Sequence, residues 1–150
     1  MDKGIRGSVL TDVNIKLELF DEKGVLKEVR EVHNATTTLG KEVVADQLLA
    51  APTVAKPGWM ELGTAAPTAS LLGSYISGSR TAVASITRVG NVVTYTCIFA
   101  AGVGTGKITE AGLFNVVTQN SPVMVLSASF AQISKAAVDT LTITWTFTVN

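Results

Sequence analysis

The closing run of the chain, TLTITWTFTV at residues 140–149, constrains the fold more than any other stretch. Large apolar side chains alternate there with five threonines, without interruption. A period of two places successive side chains on opposite faces of a strand, and β-branched residues on both faces favour extended backbone. The run therefore predicts a half-buried strand with outward threonines and a core face formed by Leu141, Ile143, Trp145, Phe147 and Val149.

Runs of similar character, separated by turn residues, occupy much of the rest of the chain. Residues 13–20 and 25–33 flank the turn sequence DEKG and predict a charged N-terminal hairpin. Many short strands joined by turn chemistry are typical of antiparallel sandwiches and barrels. We therefore predict a mainly β fold, an antiparallel, jelly-roll-like sandwich or barrel. Its further strands are predicted at residues 59–62, 80–88, 92–100, 107–114 and 123–130, the second of these pairing with the third across Val89-Gly90-Asn91.

One short helix interrupts the strands. Over residues 38–50 the apolar side chains of Leu39, Val43, Val44 and Leu48 recur at helical spacing, with Thr37 or Thr38 as the N-cap. Two prolines then end the pattern before residue 58.

The chain length of 150 residues suits one domain. Residues 1–12 are predicted to form a flexible N-terminal arm, because Gly4, Gly7 and Ser8 leave that segment poorly able to fold alone. Residues 13–150 are predicted to form a single β domain, with the charged hairpin at 13–33 and a strand block at 59–150. The hairpin either finishes the sheet as a solvated edge or, with the arm, reaches a neighbouring subunit.

Charge is distributed unevenly along the chain. The net charge is zero, which gives no electrostatic reason to expect binding to nucleic acid or to an acidic membrane surface. Residues 1–61 hold ten of the twelve acids and eight of the twelve bases, so the second part is charge-poor and rich in small and hydroxyl residues. Such a surface either meets water through threonine and serine or is covered by other subunits.

No catalytic, cofactor or metal site is predicted. The glycine-rich stretch AGVGTGK at 101–107 lacks the first glycine and the final hydroxyl of a phosphate-binding loop, so it is interpreted as a hairpin loop. Cys97 lies in a strand-like run on the same face as Tyr95 and Phe99 and is expected to be a buried structural thiol. His33 is the one histidine, which leaves little for a zinc site.

Three segments together suggest a family: WMELGT at 59–64, the long segment 77–115 ending in ITEAGLFN, and SASFAQISKAAVDTLTITWTFTV at 127–149. In order and spacing they resemble small virion proteins of tailed bacteriophages and the attachment domain of phage tail-collar fibre proteins. The resemblance covers about residues 34–150 and matches structural positions.

The resemblance implies a scaffold. Within ITEAGLFN, Gly112 lets the backbone pack closely against a neighbour, and Leu113 and Phe114 are expected to bury on opposite sides of one strand. The resemblance implies an ion pair of Glu110 with Lys135 or Arg80. A catalytic role for Glu110 is the alternative, although no second acid is near it in sequence. The predicted structural core comprises Tyr95, Cys97, Phe99, Leu113, Phe114, Leu141, Ile143, Trp145 and Phe147.

The function expected from these observations is that of a non-enzymatic structural protein of a tailed-phage virion, assembled in the bacterial cytoplasm. Capsid decoration, or cementing, is the first expectation, because the chain is small and ends just after the closing strand, without a fibre shaft. A tail, baseplate or collar role is the alternative, and a carbohydrate- or receptor-binding module using Tyr75 is a further one. Expected partners are further copies of the chain, as a trimer, and other virion proteins.

Overall fold

The computed structural model describes residues 11–34, 37–68, 71–119 and 124–150. Residues 1–10 of the predicted arm lie outside that description, whereas Thr11 and Asp12 belong to the first strand. In chain order the elements are β1 (Thr11–Phe20), β2 (Leu26–Asn34), α1 (Thr38–Asp46), β3 (Trp59–Gly63), β4 (Thr81–Ala82), β5 (Ser85–Val89), β6 (Val92–Phe99), β7 (Gly106–Phe114), β8 (Met124–Lys135) and β9 (Thr140–Val149).

The strands form two antiparallel sheets, which confirms the predicted mainly β sandwich. The first sheet has five strands in the order β2-β1-β9-β6-β5, and the second has four in the order β4-β3-β7-β8. The alternative of a closed barrel is wrong, because the two sheets remain separate ladders with their own edges. The main hydrophobic core lies between them and draws residues from both sheets and from α1.

The closing strand β9 lies at the centre of the first sheet, between β1 and β6. Trp145 stands opposite Ile15 on β1 and Tyr95 on β6, and Ile143 stands opposite Leu17 and Cys97. The side chains of Leu141, Ile143 and Trp145 are fully buried, as the alternation predicts. Val149 differs, since it is 46% exposed where the strand runs past the core. Of the other predicted core residues, Tyr95 is partly buried and the rest are buried.

The helix begins as predicted but ends earlier. The Thr37 hydroxyl accepts a hydrogen bond from the Gly40 amide at 2.8 Å and donates to the Val125 carbonyl at 2.8 Å, so the cap also ties α1 to β8. The helix ends at Asp46 rather than near residue 50. The Asp46 carboxylate accepts hydrogen bonds from the Thr53 and Val54 amides, which turns the chain back and leaves Leu48 84% exposed.

Residues 80–88 do not form the single strand that was predicted. Thr81–Ala82 pairs with β3 in the second sheet, and Ser85–Val89 pairs with β6 in the first. The chain therefore crosses from one sheet to the other between β4 and β5. The turn at Gly90 then matches the predicted hairpin, with φ of 56° at the glycine.

The second half of strand β7, from Glu110 to Phe114, is buried on both faces. Leu113 packs into the main core, whereas Phe114 packs on the opposite face with Leu72, Met124 and Trp59. Gly112 lies on the Phe114 side of the strand, where an added Cβ would be 2.7 Å from the Phe114 ring and 2.9 Å from the Met124 sulfur. The outer face of the second sheet is therefore covered by the chain's own loops.

Candidate functional site

The buried carboxylate of Glu110 organises the long loop between β3 and β4. Glu110 is fully buried, and its two oxygens accept hydrogen bonds from the backbone amides of Ala65 at 3.2 Å, Gly73 at 2.9 Å and Ser74 at 2.8 Å. Hydrogen bonds to an ionised acceptor are stronger than neutral ones, so three amides replace much of the hydration that burial removes. The loop is thereby folded around one side chain.

The expected ion pair of Glu110 with Lys135 or Arg80 is wrong. Among the described residues, no cation lies within ion-pair distance of Glu110, whose oxygens are occupied by the loop amides. Gly63 explains how the loop approaches so closely, because an added Cβ would overlap the Glu110 carboxylate. The glycine of WMELGT and the glutamate of ITEAGLFN thus form one structural unit.

Arg80 pairs with a different acid, Glu61 of β3. Its Nε and Nη2 donate to the two Glu61 oxygens at 3.2 and 3.3 Å, and its guanidinium carbon lies 3.6 Å from the centroid of the Phe114 ring. Both side chains are buried, at 2% and 1% exposure. Gln119 donates to Glu61 at 2.9 Å, and Arg80 Nη1 donates to the Val116 carbonyl at 2.6 Å. The pair therefore ties the segment after β7 to the second sheet.

A second buried cluster joins the hairpin to the strand block. The Asp139 carboxylate accepts hydrogen bonds from Lys27 Nζ at 2.8 Å and from the Ala136 amide at 2.9 Å. These bonds, Lys27 first, hold the pKa of Asp139 below its ordinary value. Lys135 is 2% exposed and donates to the Ala100 carbonyl at 3.0 Å. Burial lowers the pKa of Lys135, and the nearby Asp139 charge opposes that shift.

These placements leave the strand block without an exposed carboxylate. The two acids after residue 61 are Glu110 and Asp139, and both are buried. Arg80 and Lys135 are buried as well, so Arg88 and Lys107 are the charged side chains that this part of the chain exposes. The sequence shows that charged residues are scarce after residue 61, and the fold buries four of those six.

The outer face of the first sheet carries an array of threonines. Thr94 and Thr96 on β6 stand opposite Thr146 and Thr144 on β9, and Thr87 on β5 extends the first of these rows. On the other side of β9, Asn14 and Lys16 of β1 continue these two rows into the charged hairpin, and Glu18 stands opposite Thr142. The outward threonines of these three strands are Thr87, Thr94, Thr96, Thr140, Thr142, Thr144, Thr146 and Thr148.

Aromatic side chains offer little for stacking on a sugar. Tyr75 is 40% exposed at the end of the loop held by Glu110. Trp145 is buried, Trp59 packs against Leu72, Phe114 and Met124, and Tyr95 is partly buried, which raises the pKa of its hydroxyl. Within the described ranges, Tyr75 is thus the one tyrosine or tryptophan presented to solvent as an exposed side chain.

Cys97 and His33 do not come together. Cys97 faces the core, where burial raises the pKa of its thiol to about 12, so the thiol stays protonated at neutral pH. His33 lies on the outer face of the same sheet, 3.7 Å from the Asp12 carboxylate. In the part of the chain that the structure describes, no group of three or more His, Cys, Asp or Glu side chains is placed to hold a metal ion.

Some structural residues have no clear signal in the sequence. Glu61 and Gln119 were not expected as partners of Arg80, nor was Lys27 as the partner of Asp139. The one signal in the sequence was Glu61 itself, an acid inside the short strand-like run WMELG. A strand covered on both faces buries such an acid, and a buried acid needs hydrogen-bond partners.

The one helix in the described part of the chain, α1, is too short to span a membrane. Comparison of the chain with protein-family models, with curated proteins and with solved structures finds no significant match in any of the three.

Proposed function

We propose that this chain is a non-enzymatic structural subunit of a tailed-bacteriophage virion, built to assemble with copies of itself and with other virion proteins. The observation that carries the proposal is the structural role of residues in the segments that resemble phage virion proteins. The polar and glycine residues of these segments make contacts that hold loops to the second sheet. They are Glu61 and Gly63 of WMELGT, Arg80, and Glu110 and Gly112 of ITEAGLFN. The residues that match structural positions of those phage proteins thus make structural contacts in this chain, which supports a scaffold role.

The size and composition of one surface favour assembly with other subunits over a free monomer in solution. The outer face of the five-stranded sheet measures about 24 by 33 Å from ordinary strand spacing and rise, or about 800 Å², which is one partner's share of a standard protein interface. Its half toward β5 carries threonine, serine, valine and isoleucine side chains and no charge, while its half toward β2 carries charges of both signs. Mixed charges beside an uncharged patch give orientation to a contact, and the uncharged patch costs less to desolvate than a charged one.

Capsid decoration is the role we propose first, because a small, neutral β domain with one broad face fits a repeated lattice. A tail, baseplate or collar adaptor is the second candidate. It is favoured by the order of the three segments, which resembles the fibre-attachment domain as closely as it resembles other virion proteins. A carbohydrate-binding role would depend on Tyr75, since the other tyrosine and both tryptophans are engaged in packing.

Counting the protein in purified particles of the phage that encodes it tests the proposal. Quantitative mass spectrometry against the major capsid protein should find hundreds of copies for a decoration protein, in proportion to capsid hexamers. A few to a few dozen copies would instead assign it to the tail. Absence from particles that have been purified through a density gradient would overturn both.

A surface variant tests the proposed face directly. Thr144→Asp puts a charge at the centre of the outer face, where threonine is half-buried among its neighbours. The variant should fold normally but lose self-association in sedimentation and lose attachment to particles. Thr105→Asp is the matched control, because Thr105 is exposed in the loop before β7. Equal behaviour of the two variants would exclude this face as the contact. Self-association into trimers is expected, and a monomer both in solution and on the particle would contradict it.

A further inference from the structure

An apolar cleft of about 430 Å³ opens between α1 and the two sheets. Val43 and Leu48 line it from the helix side, Tyr95 and Phe147 from the first sheet, and Leu113 from the second. Arg88 is the one charged side chain among its lining residues. The cleft therefore lies at an end of the main core that the described part of the chain does not close.

Large apolar side chains at the rim of this cleft face solvent. Leu48 is 84% exposed and Val149 is 46% exposed. A space of this size corresponds to about 14 water molecules at their share of the liquid volume, and water gains few hydrogen bonds on apolar walls. Covering the cleft with apolar side chains would therefore be favourable.

The chain itself enters the fold at this rim. Thr11, the first described residue, pairs with Val149, which lines the cleft. The ten residues before it read MDKGIRGSVL and contain Ile5, Val9 and Leu10. Fully extended, ten residues span about 33 Å, enough to cross the cleft, and Gly7 permits the reversal that a return path needs.

We propose that residues 1–10 dock in the cleft of their own chain, with Val9 and Leu10 placed against Leu48, Phe147 and Val149. The same chain is the favoured source because Leu10 is bonded directly to Thr11, which pairs with the rim residue Val149, and a short tether gives a high effective concentration. The docked arm would extend the core, and Ile5 would reach the far wall. This inference does not depend on a virion role, so it can fail while the proposed function stands.

Point variants in the full chain test the docking. Val9→Asp combined with Leu10→Asp should open the cleft, because two charges in an apolar site are costly to bury. The expected result is a severalfold rise in fluorescence of a dye that binds apolar clefts, with unchanged far-ultraviolet circular dichroism. Ser8→Asp is the matched control, which adds a charge in the arm at a residue that is not apolar, and it should bind no more dye than the wild type. Strong dye binding by the wild type itself, or no rise in the double variant, would overturn the proposal.

Methyl NMR identifies the source of the arm and provides the second measurement. Nuclear Overhauser effects between Leu10 methyls and those of Leu48 or Val149 are expected in uniformly labelled protein. In a mixture of differently labelled chains, a filter that selects contacts between chains should remove them. Contacts that survive this filter would show that a neighbouring copy fills the cleft, and absence of any contact would show that the arm does not; either result would overturn the proposal.

Discussion

The N-terminal hairpin and the strand block use charged residues in opposite ways. In the hairpin, Lys16 and Glu18 lie 3.7 Å apart with their side chains 43% and 27% exposed, and Arg30 lies 3.4 Å from Glu28 at similar exposure. In the strand block, the side chains of Glu61 and Arg80 are almost wholly buried, and Glu110 is fully buried. Exposed pairs contribute little to stability, whereas a buried charge stripped of its partner is strongly destabilising.

This difference between the two regions shows where the stability of the fold depends on single charged residues. The strand block can bury most of its few charges only if they find hydrogen-bond partners, and each of its three buried acids has at least two. Glu110 has three amides, Glu61 has Arg80 and Gln119, and Asp139 has Lys27 and the Ala136 amide. Apart from Lys27, which pairs with Asp139, the charged side chains of the hairpin stay at the surface, where they can meet solvent or a partner.

The largest expected effect is at Arg80. Arg80→Met should lower the free energy of unfolding by about 3–5 kcal/mol, because Glu61 is then left buried without a cation. Urea denaturation measures the change, and Arg30→Met in the hairpin is the control. Adding Glu61→Gln to the first variant should restore part of the loss. If Arg80→Met and Arg30→Met cost the same, the contrast between the two regions is wrong.

Glu110→Gln should destabilise by about 3 kcal/mol, because the amide keeps one acceptor oxygen but points donor hydrogens at backbone amides. Hydrogen exchange should show faster opening of the Gly73 and Ser74 amides than in the wild type. Glu28→Gln is the matched control and is expected to change little. Unchanged protection at Gly73 and Ser74 would mean that Glu110 does not hold the loop.

Gly112→Ala should cost about 1–3 kcal/mol, since its Cβ would be 2.7 Å from the Phe114 ring. Thermal unfolding measures the shift. Gly24→Ala is an instructive comparison in the hairpin, where an added Cβ meets nothing within 4 Å but the backbone φ of 78° disfavours a side chain. Relief of the Gly112→Ala penalty by Met124→Ala would identify crowding as the cause; no relief would exclude the Met124 contact as that cause.

The Lys27–Asp139 pair predicts a loss of stability in acid. Because the folded pKa of Asp139 is lowered, its contribution is fully present above the unfolded pKa of about 4 and is lost as pH falls through the folded value. Urea midpoints measured from neutral pH down to strongly acidic pH should therefore converge for wild type and Asp139→Asn. Midpoints that stay equally far apart at every pH would show that the carboxylate's charge is not what stabilises the turn.

The smallest effect is expected at the exposed pair of the hairpin. Lys16→Ala should change the free energy of unfolding by no more than about 0.5 kcal/mol, because solvent screens the pair at this exposure. The same variant should still weaken a contact made through the outer face, where Lys16 continues the row of Thr144. A large change in stability would mean that the hairpin's charges are structural after all.

Much of the fold follows from local pattern. The uninterrupted alternation of residues 140–149 determined the inward residues of β9 up to Phe147, and Thr37 determined where the helix starts. The sequence also predicted the burial of Cys97 and the opposite faces of Leu113 and Phe114. These features depend on the two-residue and 3.6-residue periods of the backbone and on side chains a few positions apart, and both can be read directly from the residue order.

The partners of the buried charges were decided only by the tertiary structure. The sequence left Arg80 and Lys135 open as partners of Glu110. In the fold, three backbone amides of the loop after β3 occupy the Glu110 carboxylate instead. The helix end at Asp46 and the crossing between β4 and β5 have the same origin. A hydrogen bond depends on a few ångströms and on direction, and those are determined by the packing of segments far apart in sequence.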